Sequence, residues 1–320
     1  MNEKKKISFA DIYSKYGIFI ILIAAVIIST ILSDSFMTGR NISNIIRQNA
    51  TVMIVAFGAQ MLLITGEVDL SPGSVLGFSS VVSCMAMIST GSLAVALLVG
   101  IVIGAAFGLV NGWVVTTCGI PSFIMTLATQ FIGRGAVYVL TDAKPVSGMD
   151  NSFKMLGQGM FLRVIPVPIL IMVIVLILYV LLMHFRPFGR YVYAVGGNVE
   201  AAKASGINVK SIKIRAFIFA GAAAGLSGVI LASRMNSGQP SAGEEYEFDA
   251  ITAAIIGGTS MNGGIGKVYG VVVGALFVGV LLNIMTLLNI SSYYQQIVKG
   301  AIIAIAVIID AQVRRAQKIS

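Results

Sequence analysis

Ten apolar runs, most of them close to the ~20 residues needed to cross a hydrocarbon core about 30 Å thick, constrain this chain more than any other feature. They fall at about 17–33, 49–65, 74–90, 93–116, 121–140, 165–184, 214–233, 248–262, 268–288 and 293–311. With 57% hydrophobic residues, 11% charged residues and a mean hydropathy of +0.92, the chain is no soluble globular domain. The expected fold is an all-α polytopic membrane protein of about ten transmembrane helices. Connections this short leave no room for a sizeable soluble domain, so residues 1–320 form one transmembrane unit. A first half, 1–184, and a second half, 214–320, flank a polar interruption at 185–213.

Charge orients the unit. Short loops rich in Lys and Arg stay in the cytoplasm. Lys4, Lys5, Lys6 and Lys15 mark the N-terminal segment, Arg314, Arg315 and Lys318 the C-terminal one, and Arg186, Arg190, Lys203, Lys210 and Lys213 the interruption. An even number of spans puts both termini and the interruption on the cytoplasmic side, with Arg40 and Arg47 running against the rule. The net charge of +9 is thus a topology signal and calls for no nucleic acid. The basic N-terminal segment resembles a signal-peptide flank. The run Ile18–Leu32 ends without a small-residue cleavage pattern, so it reads as an uncleaved span.

The interruption reads FRPFGRYVYAVGGNVEAAKASGINVKSIK. Its centre predicts a short helix: Asn198 suits the cap, Glu200 the first turn and Gly206 the end. Ala201, Ala202, Ala204 and Ser205 are small enough to pack in a partner's groove, and Glu200 and Lys203 can orient such a contact.

Two further interruptions carry helix-breaking residues. GEVDLSPG, 66–73, predicts a break with Asp69 capping the helix that restarts near Pro72. Sliding the chain by 170 residues aligns this DLSPG with QPSAG, 239–243. The same shift pairs Gly100 with Gly270, Gly104 with Gly274, Phe107 with Phe277 and Ser122 with Ser292. It moves a span onto one an odd number further along, so the two units are expected to be inverted, as in transporters with broken helices. Gly100, Gly104, Gly108 and Gly112 recur every fourth residue and predict a close helix–helix seam.

None of the thirteen acidic residues lies in the middle of a clean apolar span, which argues against an ion-coupled mechanism. Glu67 and Asp69 lie in the first break. Glu244, Glu245, Glu247 and Asp249 form an acid-rich approach to the run at 248–262, expected to be hydrated on the outer side. Arg134 and Lys299 do lie within predicted spans, where pairing or snorkelling accommodates them. The stretch IIGGTSMNGGIGKVYG ends like a phosphate loop, but Gly266-Lys267 is followed by Val268, so nucleotide binding by that motif is excluded. Cys84 and Cys118 have no metal-ligand spacing, and no nucleophile–base constellation stands out. No catalytic residue, metal site or cofactor is expected.

GEVDLSPGS (66–74), FGRYVYAVGGNVEAAKASGINV (188–209), YEFDAITAAIIGGTSMNGGIG (246–266) and SSYYQQIVKG (291–300) resemble the monosaccharide-importing, ribose-type permeases of bacterial ABC systems over nearly the whole chain. The resemblance implies a multi-pass permease subunit of the bacterial plasma membrane, passing a sugar inward by alternating access. It also implies a second copy of the chain, a cytoplasmic ATP-binding subunit that hydrolyses ATP, and an extracytoplasmic sugar-binding protein. In that frame, Asn198, Glu200, Ala201, Ala202, Lys203, Ser205 and Gly206 form the ATPase-coupling helix. A neutral sugar needs hydrogen-bonding groups along its path, for which Asn49, Gln60, Asp69, Asn111, Gln130, Asn283 and Gln296 are candidates. Glu244, Glu245 and Glu247 are candidates for docking the binding protein. A stand-alone facilitator or channel is the alternative.

Overall fold

The computed structural model describes residues 9–319 and is built almost entirely of helices. Lys4, Lys5 and Lys6, and the side chains of Lys15, Arg314, Arg315 and Lys318, lie outside the described set. Along the first half, α1 (Phe9–Leu32), α2 (Gly39–Ile64), α3 (Pro72–Thr90), α4 (Leu93–Cys118) and α5 (Ser122–Thr141) follow one another through short turns. Between the runs expected at 121–140 and 165–184 lies a helix, α6 (Asn151–Gln158), followed by a hairpin of β1 (Met160–Phe161) with β2 (Ile165–Pro166). Then comes α7 (Val167–Val180), continued by one π-helical turn at Leu181–Phe185.

The polar interruption holds two helices, α8 (Pro187–Gly197) and α9 (Val199–Ala204). The second half is α10 (Val209–Met235), α11 (Tyr246–Ile256), α12 (Val268–Leu287) and α13 (Ser292–Ile319).

Seven helices are long and apolar enough to cross a membrane: α2, α3, α4, α5, α7 with its π turn, α10 and α12. The shorter apolar stretches Gly17–Leu32 and Ser292–Ile308 join them among the described residues. The span expected at 248–262 is absent. Its place is taken by α11, whose 11 residues reach only about 16 Å. Gly257 and the glycines at 258, 263, 264 and 266 then release the backbone into an irregular segment up to Lys267. The largely apolar stretch 248–262 looked like a span because hydropathy does not register how early glycine ends a helix.

Two helices form the centre. Residues Asn49–Ile64 of α2 are buried almost without interruption, and α10 has an extended buried face. α2 and α10 cross antiparallel: Gly58 lies on the backbone of Ala220, and the Ser227 hydroxyl donates to Thr51 O at 2.8 Å. α4 lies along the other side of α10, and the glycine stripe expected from sequence makes that seam. A Cβ on Gly104 would sit 2.1 Å from Gly221 O, and one on Gly108 would sit 2.1 Å from Phe217 O. The two backbones therefore meet directly, which only glycine allows at these positions. α4, α5 and α7 turn many large apolar side chains outward, including Leu98, Phe131, Val139 and Leu178, as lipid-facing helices do.

Candidate functional site

α2 ends at Ile64, and the next regular residue is Pro72 at the start of α3, so the first break is real. Proline is well placed there, because the first helical turn has no partner for its missing N–H. A broken backbone inside a membrane protein must find partners within the protein. It does so on α5. Ser122 Oγ accepts from Val68 N at 3.0 Å, and Thr126 Oγ1 accepts from Leu70 N at 3.0 Å. Asp69 does not cap α3 as expected; Ser71 holds the cap position. Asp69 Oδ1 accepts instead from both the N–H of Ser71, at 2.8 Å, and its hydroxyl, at 2.7 Å.

From Ser71 the polar chain continues inward. Asn111 Nδ2 on α4 donates to Ser71 Oγ at 3.1 Å, and Thr129 Oγ1 on α5 donates to Asn111 Oδ1 at 2.6 Å. Asp69, Ser71, Asn111 and Thr129 thus form one buried network joining the break to two helices. Ser122, Thr126 and Thr129 were not singled out from sequence. The signal was present: three hydroxyls at helical spacing on one face, beginning at the helix's first residue.

The second break lies after α10. Asn236 takes the left-handed conformation at φ 53°, and the chain then folds back along α3, with Gly238 against Val81 and Cys84. The segments that the 170-residue shift aligns touch each other. A Cβ on Gly73 would sit 2.4 Å from Gly243 O, and one on Gly243, at φ 77°, would sit 2.7 Å from Gly73 O. Arg134 of α5 bridges this contact. Its guanidinium donates to Pro240 O, to Ala242 O at 2.9 Å and to Gly73 O at 3.0 Å. Arg134, expected to pair or snorkel within its span, is the donor shared by Gly73 O at the start of α3 and by Pro240 O and Ala242 O of the second break.

The acid-rich stretch is not a hydrated outer loop. Glu247 is only 2% exposed and accepts from Gln130 Nε2 at 2.7 Å. Asp249 is buried as well and pairs with Lys299 of α13 at 2.9 Å, while Glu245 accepts from Gln296 at 2.8 Å. Glu244 alone of the four is exposed. The physical reason is the fold-back of 236–245, which brings the start of α11 into the protein, where its first-turn acids also face the positive end of their own helix. Burial pushes the Glu247 carboxyl above its usual range, against the pull of Gln130 and Arg134. As a docking residue on an outer surface, Glu247 is therefore excluded by its place.

The remaining path candidates divide. Gln60 is fully buried and bonded on both ends: it donates to Thr259 Oγ1 at 2.7 Å and to Lys267 O at 3.1 Å, and accepts from Tyr179 at 2.9 Å. Asn283 exchanges reciprocal hydrogen bonds of 2.9 Å with Asn41. Asn49 is buried against Gly279, and its Nδ2 has no hydrogen-bond partner. Asn111 and Gln130 thus knit helices around the two breaks, Gln60 ties α2 to α7 and to the irregular segment after α11, and Asn49 and Asn283 lie on the α2–α12 side.

In the polar interruption, Asn198 Oδ1 accepts from Ala201 N at 3.0 Å and opens α9 as its sequence requires. Glu200 and Lys203 pair along its exposed side at 2.8 Å, and Gly206 closes it at φ 78°. Ala201, Lys203 and Ser205 are exposed, but Ala202 is 4% exposed and packs into the chain's own core. The expectation that Ala202 faces a partner is corrected.

These features define a class: a multi-pass helical membrane protein with two breaks between its helices and a short helix displayed in the polar interruption. Residues 41–307 match the family described as "Branched-chain amino acid transport system / permease component". The chain belongs to that family of permeases. It is 43% identical to the ribose import permease protein RbsC of Bacillus subtilis, over 96% of both chains. Identity is 38% to RbsC of Haemophilus influenzae, over 97% of both, and 37% to the D-allose transport system permease protein AlsC of Escherichia coli, over 97% of this chain and 95% of that one. No solved structure gives a significant match. The chain is a multi-pass permease of the inner membrane.

Proposed function

We propose that this chain is the membrane subunit of an ATP-driven importer that passes ribose or a similar monosaccharide into the cytoplasm by alternating access. The near full-length similarity to ribose import permeases carries the reading. Two copies of the chain would work with a cytoplasmic ATP-binding subunit and an extracytoplasmic sugar-binding protein, with both termini and 185–213 in the cytoplasm.

The arrangement of helices supports an inverted repeat. Shifted by 170 residues, α2 lands on 209–234, where α10 runs Val209–Met235, and α5 lands on 292–311, where α13 begins at Ser292. α2 and α10 run antiparallel, as equivalents in an inverted pair must. Alternating access is then a rocking of one unit against the other about the contact of Gly73 with Gly243. The polar groups Asn49, Gln60, Asp69, Asn111, Gln130, Asn283 and Gln296 are the ones from which a sugar path would be drawn. α9 is the proposed docking element for the ATP-binding subunit, through Ala201, Lys203 and Ser205. Glu244, with Glu245 beside it, is proposed to meet the sugar-binding protein.

The test is reconstitution into vesicles, with the chain alone and with both partners, measuring labelled ribose uptake with and without ATP. Uptake that needs ATP and both partners is the expected result. Uptake by the chain alone identifies a facilitator and overturns the importer reading. Ala201→Trp should leave thermal stability unchanged, because the side chain is exposed, while reducing binding of the ATP-binding subunit in co-purification. Unchanged co-purification and uptake in that variant remove α9 from the coupling role.

A further inference from the structure

Four ion pairs are found among the described residues, and one of them joins the polar interruption to the first break. Lys213 Nζ on the first turns of α10 donates to Glu67 Oε1, three residues past the end of α2. Glu67 is 8% exposed, so the pair is largely removed from water. On the Lys213 side the chain is stiff back to α9. Ile207 N donates to Ala202 O, Gly206 N donates to Lys203 O, and Asn208 Oδ1 caps α10 by accepting from Ser211 N at 3.0 Å. On the Glu67 side the next residues are held by Ser122, Thr126 and the Asp69–Ser71–Asn111–Thr129 network. A cavity of about 300 Å³ opens beside the pair, lined by Glu67, Lys213, Val115, Thr116, Ile120 and Pro121. The cavity gives the pair room to shift, which the packed seam of α4 and α10 does not.

We infer that the Glu67–Lys213 ion pair is the positioning link through which a displacement of α9 reaches the first break. This deepens the importer reading and rests on it. The chemistry suits the task. A displayed helix of 6 residues has little surface with which to move a membrane helix by contact alone. A charge pair shielded from water acts over several ångströms and is screened little by salt. When α9 moves with its partner, the start of α10 carries Lys213 along, and Glu67 follows because an unpaired buried carboxylate is costly. Glu67 is continuous with Val68–Ser71, so the break, and with it the start of α3 at its contact with Gly243, takes up the motion. Neither residue touches transported sugar in this scheme; both act through the break.

The experiment uses the full complex in vesicles, with labelled ribose, and reads ATP hydrolysed per sugar imported for Glu67→Gln, Lys213→Gln and the exchanged pair Glu67→Lys with Lys213→Glu. Each single variant should raise that ratio roughly fivefold or more, the span of typical coupling effects, at undiminished hydrolysis. The exchanged pair should bring the ratio back toward that of the unmodified complex. A purely structural pair would lower assembly, hydrolysis and uptake together and leave the ratio unchanged, which overturns the inference. If the single variants do not assemble, the exchanged pair decides alone: a coupled complex supports the link and an uncoupled one overturns it. An unmodified complex without ATP-dependent uptake overturns the importer reading and this inference together, whereas an active one with coupled single variants overturns this inference only.

Discussion

The two breaks solve the same problem with opposite chemistry. In the first, at 66–71, the exposed backbone groups that matter are N–H donors, and neutral hydroxyls of Ser122 and Thr126 accept from them. In the second, at 236–245, they are carbonyl acceptors, and the Arg134 guanidinium donates to them. The acids differ in the same way. Asp69 of the first break is held by a serine hydroxyl and N–H, while Asp249 near the second is held by Lys299. Donors need only a lone pair, which a small hydroxyl supplies at little desolvation cost. Several carbonyls converging on one point need a multivalent donor, and the planar guanidinium, with five N–H groups, is the side chain that fits. Past the Glu67–Lys213 pair at its start, the first break is thus a neutral lattice, whereas the second is held by charged donors throughout. Loss of a single group should hurt the second more.

That contrast is open to measurement. Arg134→Ala should be the most damaging change, because it strands Pro240 O and Ala242 O of the second break and removes their tie to Gly73 O at the start of α3. With hydrogen bonds to a charged group worth roughly 1.5–3 kcal/mol each, a loss above about 4 kcal/mol is expected. The readout is a thermal melt of the detergent-purified chain, and a melt within a few degrees of the unmodified protein would show that the second break has other donors. Lys299→Met comes next, at about 3 kcal/mol, because it leaves Asp249 buried and unpaired. Adding Asp249→Asn should recover much of that loss, and failure to recover would mean that Lys299 acts by packing its stem and not by its charge.

In the first break Thr126→Val keeps the shape but removes the acceptor for Leu70 N, with an expected cost of about 1–2 kcal/mol. Ser122→Ala should be smallest, at about 1 kcal/mol, since Val68 lies near the break's open end. If Thr126→Val proved as destabilising as Arg134→Ala, the neutral and ionic breaks would not differ in the way proposed.

The helices that the sequence made legible are those whose signal is local. Hydropathy marks α4 and α7, the four-residue glycine spacing marks the face of α4 that meets α10, and Pro72 marks the restart at α3. Asn198, Glu200 and Gly206 likewise announce α9, because capping is decided within one turn of the chain. The α11 region misled for an equally local reason: its apolar composition continues through glycines that end the helix.

What the residues determined by themselves is the solvent they require, the points where helices begin and break, and the family to which the motifs belong. Only tertiary structure decided which way each polar residue looks. Glu247 and Glu244 stand three positions apart in one acidic stretch, yet the fold-back of 236–245 buries the first against Gln130 and leaves the second exposed. Ala201 and Ala202 are neighbours of the same size, and packing against the chain's own core separates them. Arg134, Lys299 and Lys213 carry the same formal charge, but each has its partners more than 45 residues away. Long-range partners depend on how helices are brought together, and no short window of sequence holds that information.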